Sequence, residues 1–284
     1  TIDKNKTNTY SLRVWIDSDA GNEVMGKILS KELRVEATQS KQTAPTVTLK
    51  TGDYIKMTPT STSYTVPSST TGYDSDQTIN PSELNLWRVI NVNDDGTTDL
   101  ISESVSSTSV YFKGKTGYRN SISVLNKIAE QYTNSKYTVG SRYTGYSNQT
   151  ETIADNLVLN STTPPQNLGY TDTEPRGLGD TGYEKDYSLV MNALGTLSAN
   201  KVGTSDTATY WLASRHLDCY SSTNWAFMER FINNDGTSSY YSLYYYNNSF
   251  NTNSMDNELR PIITLKSGLD PSGSGTSSDP YVLS

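Results

Sequence analysis

Residues 86–102 read Leu-Trp-Arg-Val-Ile-Asn-Val-Asn-Asp-Asp-Gly-Thr-Thr-Asp-Leu-Ile-Ser. Two apolar runs, Leu86–Ile90 and Thr98–Ser102, flank Asn93-Asp94-Asp95-Gly96. Asp-Gly supplies the positive φ that a tight hairpin turn needs, so the stretch predicts a β-hairpin. The same pattern returns downstream. Asn224–Ile232 and Ser239–Tyr246 flank Asn233-Asn234-Asp235-Gly236, a second hairpin. Short strands are also predicted at Thr46–Lys50, Tyr54–Met57, Tyr210–Ser214, Leu259–Leu265 and Tyr281–Leu283. Thr58–Thr78, rich in Ser, Thr, Gly and Pro, reads as a loop.

Two helices interrupt the strands. In Ser121–Ser135, Ile122, Val124, Leu125, Ile128, Ala129 and Tyr132 recur at three- and four-residue spacing on one face. Asp186–Leu197 carries a second such pattern through Tyr187, Leu189, Val190, Met191 and Leu194. Many short strands, two helices and long loops place the chain in the α+β class. Residues 1–40 read as a separate β-rich piece, because Tyr10–Asp17 and Leu33–Ala37 alternate apolar with polar. The polar run Gln39–Pro45 reads as a linker to a domain over 46–284.

Composition narrows the function. The 284 residues are 33% hydrophobic, below the roughly 45–50% of ordinary soluble domains. Tyrosine supplies 21 of the aromatics, against 4 Phe and 4 Trp, so much of the apolar mass carries a hydroxyl. A net charge of −7 argues against nucleic acid and against an anionic membrane surface. Low charge density with abundant Ser, Thr, Asn and Gly suits an extracellular, cell-surface β protein. The single cysteine, Cys219, forbids an intrachain disulfide, and the single histidine, His216, forbids a histidine-rich metal cluster. No apolar run approaches the 18 or so residues of a membrane span. The start at Thr1, without a charged and apolar leader, reads as a mature or trimmed form.

Residues 239–254 read Ser-Tyr-Tyr-Ser-Leu-Tyr-Tyr-Tyr-Asn-Asn-Ser-Phe-Asn-Thr-Asn-Ser. Only Leu243 and Phe250 fall outside Ser, Tyr, Asn and Thr. Antibody loops use this set, because Tyr gives rigid amphipathic contact area and Ser and Asn give adaptable hydrogen bonds. Asn codons whose adenines are replaced never yield Lys, Gln, Glu, Met or Trp, and none of those five occurs in the window. Composition alone fits a binding surface and fits a plain Tyr-rich strand with loops equally well.

Leu86–Ile90, the Asp95-Gly96 turn, Tyr210-Trp211-Leu212-Ala213-Ser214-Arg215 and Leu259–Leu265 follow one another in order. This order resembles the C-type lectin-like domains of the formylglycine-generating-enzyme branch found in bacterial surface proteins. The ending Gly273–Tyr281 is similar to their tails in Gram-positive bacteria. The Tyr/Asn/Ser run stands where the variable proteins of diversity-generating retroelements carry their mutable positions. The resemblance implies an α+β C-type lectin-like domain over 46–284 that binds ligand without chemistry. It implies that residues 1–40 are the last strands of a β-sandwich-like, pilin-like stalk.

By the same resemblance Trp87, Arg88, Trp211, Arg215, Arg260 and Pro261 are scaffold. The tryptophans are expected in the core, and Arg215 and Arg260 as buried donors to loop carbonyls. The implied patch comprises His216, Asp218, Tyr220, Ser221, Ser222, Thr223, Asn224, Ser238, Tyr240, Tyr241, Ser242, Tyr244, Tyr245, Tyr246, Asn247, Asn248, Ser249, Phe250, Asn251 and Asn253. Its expected partner is a protein or glycan on another cell or phage, with pilus or stalk assembly as a further implication.

Catalysis is the weaker reading. A formylglycine-generating enzyme needs paired cysteines and this chain has one. A Ser/His/Asp hydrolase would have to use His216, and no Gly-x-Ser-x-Gly elbow precedes a helix. Asn91-x-Asn93-x-Asp95-Gly96 resembles half a calcium loop, but its twelfth position is Ser102 rather than Glu, which favours a plain hairpin. No cofactor or metal is expected. The alternative from another class is a structural stalk with a fixed Tyr-rich sheet.

Overall fold

The computed structural model describes residues 47–145, 162–163, 209–234 and 238–283. All lie within one compact unit, Ala44–Ser284. The expected 1–40 module and the expected helix at Asp186–Leu197 lie outside the described residues.

The Leu86–Ser102 hairpin forms as its sequence requires. Strands β4 (Leu86–Val92) and β5 (Thr98–Ser102) pair antiparallel, with Trp87 opposite Ser102 and Val89 opposite Leu100. Gly96 takes φ +81° at the turn. There Asp95 Oδ1 accepts from the Thr97 hydroxyl at 2.6 Å and the Thr97 amide at 2.9 Å. These two bonds hold the Asp95 carboxyl below its usual range. The carboxylate closes the turn itself, so the half calcium loop is a hairpin.

Around this pair grows a six-stranded sheet. It also contains β1 (Tyr54–Lys56), β7 (Thr138–Tyr143), β13 (Pro261–Leu265) and β14 (Tyr281–Val282), in the order β14-β1-β4-β5-β13-β7. Only the β1–β14 pairing is parallel. Pro261 sits at the first position of its strand, where a missing N–H costs least. Both faces are covered: Val89, Leu100 and Ile263 enter the main core, while Ile90, Ile101 and Ile262 join Tyr210, Leu212 and Ile232 in a smaller one.

A second sheet of four strands, order β11-β10-β9-β8, is made of β8 (Tyr210–Ser221), β9 (Asn224–Ile232), β10 (Ser238–Asn247) and β11 (Phe250–Thr252). Two short pairs complete the strands: β2 (Tyr64–Val66) with β3 (Gln77–Ile79), and β6 (Val110–Lys113) with β12 (Ser254–Asn257). Helix α1 is a single turn at Ser68–Thr71, and α2 spans Gly114–Glu130. The apolar face read from the sequence is the buried one, including Ile122, Leu125, Ile128 and Ala129. It packs on β6 and β7 and against the four-stranded sheet.

The expected α+β C-type lectin-like class is overturned. Among the described residues 45% are strand and 14% helix, spread over several sheets with one sizeable helix. The physical cause is that polar, Ser/Thr-rich segments carry strands with little apolar signal. The expected loop 58–78 holds β2, α1 and the start of β3, each anchored by few buried residues such as Val66, Thr71 and Ile79. Conversely, residues 47–50 form no strand. Helix α2 begins seven residues before the expected Ser121, at a glycine-rich turn. Glycine is required there, because a Cβ on Gly117 would stand 2.9 Å from the Thr71 carbonyl oxygen.

The scaffold residues are placed by their bonds. Trp87 and Trp211 are fully buried and donate their indole N–H to Met57 O (2.9 Å) and Val110 O (2.7 Å). Arg260 donates to Ser102 O and Glu103 O at 3.1 and 3.2 Å. Arg215 is also buried and donates to the helix carbonyls of Arg119 (3.2 Å) and Tyr118 (3.4 Å). Arg88 is half-buried and donates to Gly52 O and the Tyr54 hydroxyl.

Candidate ligand-binding face

The four-stranded sheet has two faces with opposite chemistry. Along β9, Trp225, Phe227, Glu229 and Phe231 alternate with Asn224, Ala226, Met228 and Arg230. The first set faces α2 and the core. Phe227 packs on Tyr118 of the helix, with ring centroids 5.2 Å apart, and Glu229 accepts from the Ser121 hydroxyl at 2.6 Å. The second set faces away.

On β10 a bulge controls which tyrosines share each face. Ser242 lies opposite Met228, but Tyr244 lies opposite Phe227, so Leu243 is the extra residue. Strict alternation would send Tyr244 outward with Ser242. The extra residue sends Tyr244 and Tyr246 inward and Tyr245 outward. Tyr246 stacks on Trp225 at 4.3 Å, and Tyr244 stacks on Phe250 at 5.4 Å. Leu243 is buried as well.

Outward side chains line an open groove of about 340 Å³, joined by Tyr241, which pairs opposite the inward Glu229. Tyr220, Tyr240, Tyr241 and Tyr245 contribute rings, Asn224, Ser242 and Asn253 contribute polar groups, and Ala226 and Met228 complete the lining. Tyr220, Tyr240 and Tyr241 are 58%, 46% and 38% exposed. Tyr240 also stacks on His216, centroids 4.5 Å apart. His216 Nδ1 lies 3.3 Å from Arg230 Nη2. A guanidinium only donates, so Nδ1 accepts.

The expected patch therefore divides. Tyr220, Asn224, Tyr240, Tyr241, Ser242, Tyr245 and Asn253 come together in the groove. Ser221, Ser222 and Thr223 are exposed around the β8–β9 turn, and Asn247, Asn248 and Ser249 are exposed at the β10–β11 turn. The two turns touch, since the Asn248 amide donates to Thr223 O at 3.3 Å. Tyr246, Phe250 and Asn251 are half-buried. His216 and Tyr244, expected at the surface, are only 4% and 6% exposed. The His216 ring is covered by Tyr240, and the bulge turns Tyr244 into the core. Burial holds the Tyr244 phenol above its usual range. Asp218 and Ser238 lie on β8 and β10, and their side chains are outside the described set.

Sequence reasoning missed Ala226 and Met228. The signal was present as the two-residue alternation in β9, where bulky aromatics mark the inner face and leave the smaller partners outside.

Among the described residues the lining includes no carboxylate, imidazole, thiol or ammonium. It offers hydroxyls, amides, aromatic surface and a thioether, a set suited to binding. Among the described residues no three His, Cys, Asp or Glu side chains gather as a metal would require. Nor is any described helix long and apolar enough to cross a membrane. No protein-family model, no curated protein and no solved structure matches the chain.

Proposed function

We propose that the protein is a non-enzymatic receptor or adhesin, displayed outside the cell, that binds a protein or glycan ligand through the groove of the four-stranded sheet. One observation carries this reading. Among the described residues six large apolar or aromatic side chains are exposed, and the three tyrosines among them all line this groove. The others are Val92, Val139 and Val282, on three separate strands. Exposed apolar surface gathered in one place marks interaction sites, whereas scattered residues do not. Tyrosine loses little entropy on contact and dominates binding hot spots. Met228 adds a side chain that adapts to different shapes.

The groove and its flanking turns also suit diversification by substitution. Their exposed positions belong to the residue set reachable from Asn codons, while the buried positions beneath them carry the packing. Deep amplicon sequencing of the DNA for residues 205–265 from a population of source cells tests this. Substitutions concentrated at Tyr220–Asn224 and at the outward positions of Tyr240–Asn253, with Trp211, Trp225 and Arg260 fixed, support it. An invariant segment refutes diversification and leaves a fixed binding face.

The binding reading itself is tested with Y240A/Y241A, assayed against printed panels of cell-surface proteins and oligosaccharides. The expected result is an unchanged melting temperature with binding lost. Binding at the wild-type level refutes the assignment of the groove.

A further inference from the structure

Resting on that binding-face reading, we infer that the groove takes an uncharged, hydroxyl-rich ligand: the exposed end of a neutral oligosaccharide. Three observations converge on this class. The first is charge. In a chain of net charge −7, none of the nine described lining residues is charged. Arg230, opposite Tyr240 across the strands, is outside the lining, with Nη2 3.3 Å from His216 Nδ1. A sialylated or sulfated sugar would bring an anion to a site with no cation among its described walls. An ionised group held against such walls loses hydration without gaining a partner.

The second is size. A specific protein partner needs about 800 Å² on each side, spread over roughly 20–30 residues. The groove is concave, has nine lining residues and a volume of about 340 Å³. That volume falls at the low end of the ~300–1,000 Å³ typical of small-ligand pockets. It fits a few linked rings rather than a protein surface.

The third is the distribution of polar groups. The side chains of Tyr241, Tyr245, Asn224 and Ser242 make no hydrogen bond with any other described residue. Together they present three hydroxyls and one amide, each able to donate and to accept. The Asn253 amide donates to Ser242 O at 3.1 Å, which leaves its carbonyl oxygen to accept. A pyranose ring has the matching surface: hydroxyls at its edge, and C–H faces that pack on aromatic rings. The Tyr240 ring, held by its stack on His216, supplies a platform of fixed tilt.

The test uses the purified protein on a printed array of neutral, sialylated and sulfated oligosaccharides, beside an array of enzymatically deglycosylated cell-surface proteins. Y241A and Y245A are run in parallel, with melting temperatures recorded. Binding to neutral oligosaccharides, weakened about 10- to 30-fold by each variant as hot-spot tyrosines give, is the expected result. Binding confined to anionic glycans or to deglycosylated proteins, and lost in the variants, overturns the ligand class but leaves the binding face standing. Binding that neither variant changes, or no binding to any spot, overturns both.

Discussion

Tyr241 and Tyr244 are three positions apart on β10 and share a side chain, yet their removal should have opposite consequences. Tyr244 is 6% exposed and lies between Phe250, at 5.4 Å with rings 2° from parallel, and Phe227, at 6.1 Å and 27°. Tyr244→Ala removes a buried ring, a change that costs about 3–5 kcal/mol in aromatic cores. Its remaining 6% exposure argues for the lower figure, about 3 kcal/mol. In a unit of this size each kcal/mol moves the melting temperature by about 2–4 °C, so Y244A should melt about 6–12 °C lower. Tyr241 is 38% exposed. Y241A should stay within about 0.5 kcal/mol of wild type, a shift of about 2 °C or less. Thermal unfolding followed by circular dichroism resolves this difference. Equal shifts for the two variants would refute the burial of Tyr244 opposite Phe227, and the groove would have to be redrawn.

Three further outcomes are expected. W211F keeps a ring against Phe112 and Phe231 but removes the donor to Val110 O. Leaving that buried carbonyl unpaired should lower urea stability by about 1–3 kcal/mol. Gly145 holds φ +137°, and a Cβ there would meet the backbone N and O of Ala213 at 2.7 and 2.8 Å. G145A should therefore cost at least about 2 kcal/mol in the same urea titration, since neither strain nor clash is relieved by turning a side chain. Burial raises the Glu103 carboxyl above its usual range, against the opposing pull of Arg88 and Arg260. The folded state thus holds this proton more tightly than the unfolded chain, and the associated stability, present below the ordinary glutamate value, is lost as pH rises through the folded-state value. The melting temperature of E103Q relative to wild type should accordingly rise as pH increases above the ordinary glutamate value of about 4.3; a flat difference would refute the role of burial.

The parts of this molecule that were legible in the sequence are those where one local signal fixes one local structure. Asp95-Gly96 specifies one hairpin because its strands are apolar enough to read, and β9 and β10 pair antiparallel as their sequence pattern predicted. The spacing of Ile122, Leu125 and Ile128 gives the buried face of α2. What escaped depends on partners far away in the chain. Strands β6 and β12 pair across more than a hundred residues and stabilise one another, so neither is recognisable alone. The first turn of α2, with Gly114 and Gly117, has poor helix propensity and is selected by close approach to Thr71 and Phe112. The α+β expectation failed for the same reason. Polar strands were counted as loops, and one expected helix lies outside the described residues. In the candidate site, composition located the segment, but which tyrosines face outward depends on a single extra residue in β10.

That extra residue makes the face unequally tolerant of different kinds of genetic change. Replacing an outward side chain alters what the groove touches and leaves the layer beneath in place. Straightening the bulge, so that Leu243 itself pairs opposite Phe227 in regular alternation, would exchange the inward and outward sets along the rest of the strand. Tyr245 would meet the core, and Tyr244 and Tyr246 would meet solvent. A lineage that reshapes this surface is therefore free in its outward side chains and bound to the register of β10 that turns them outward.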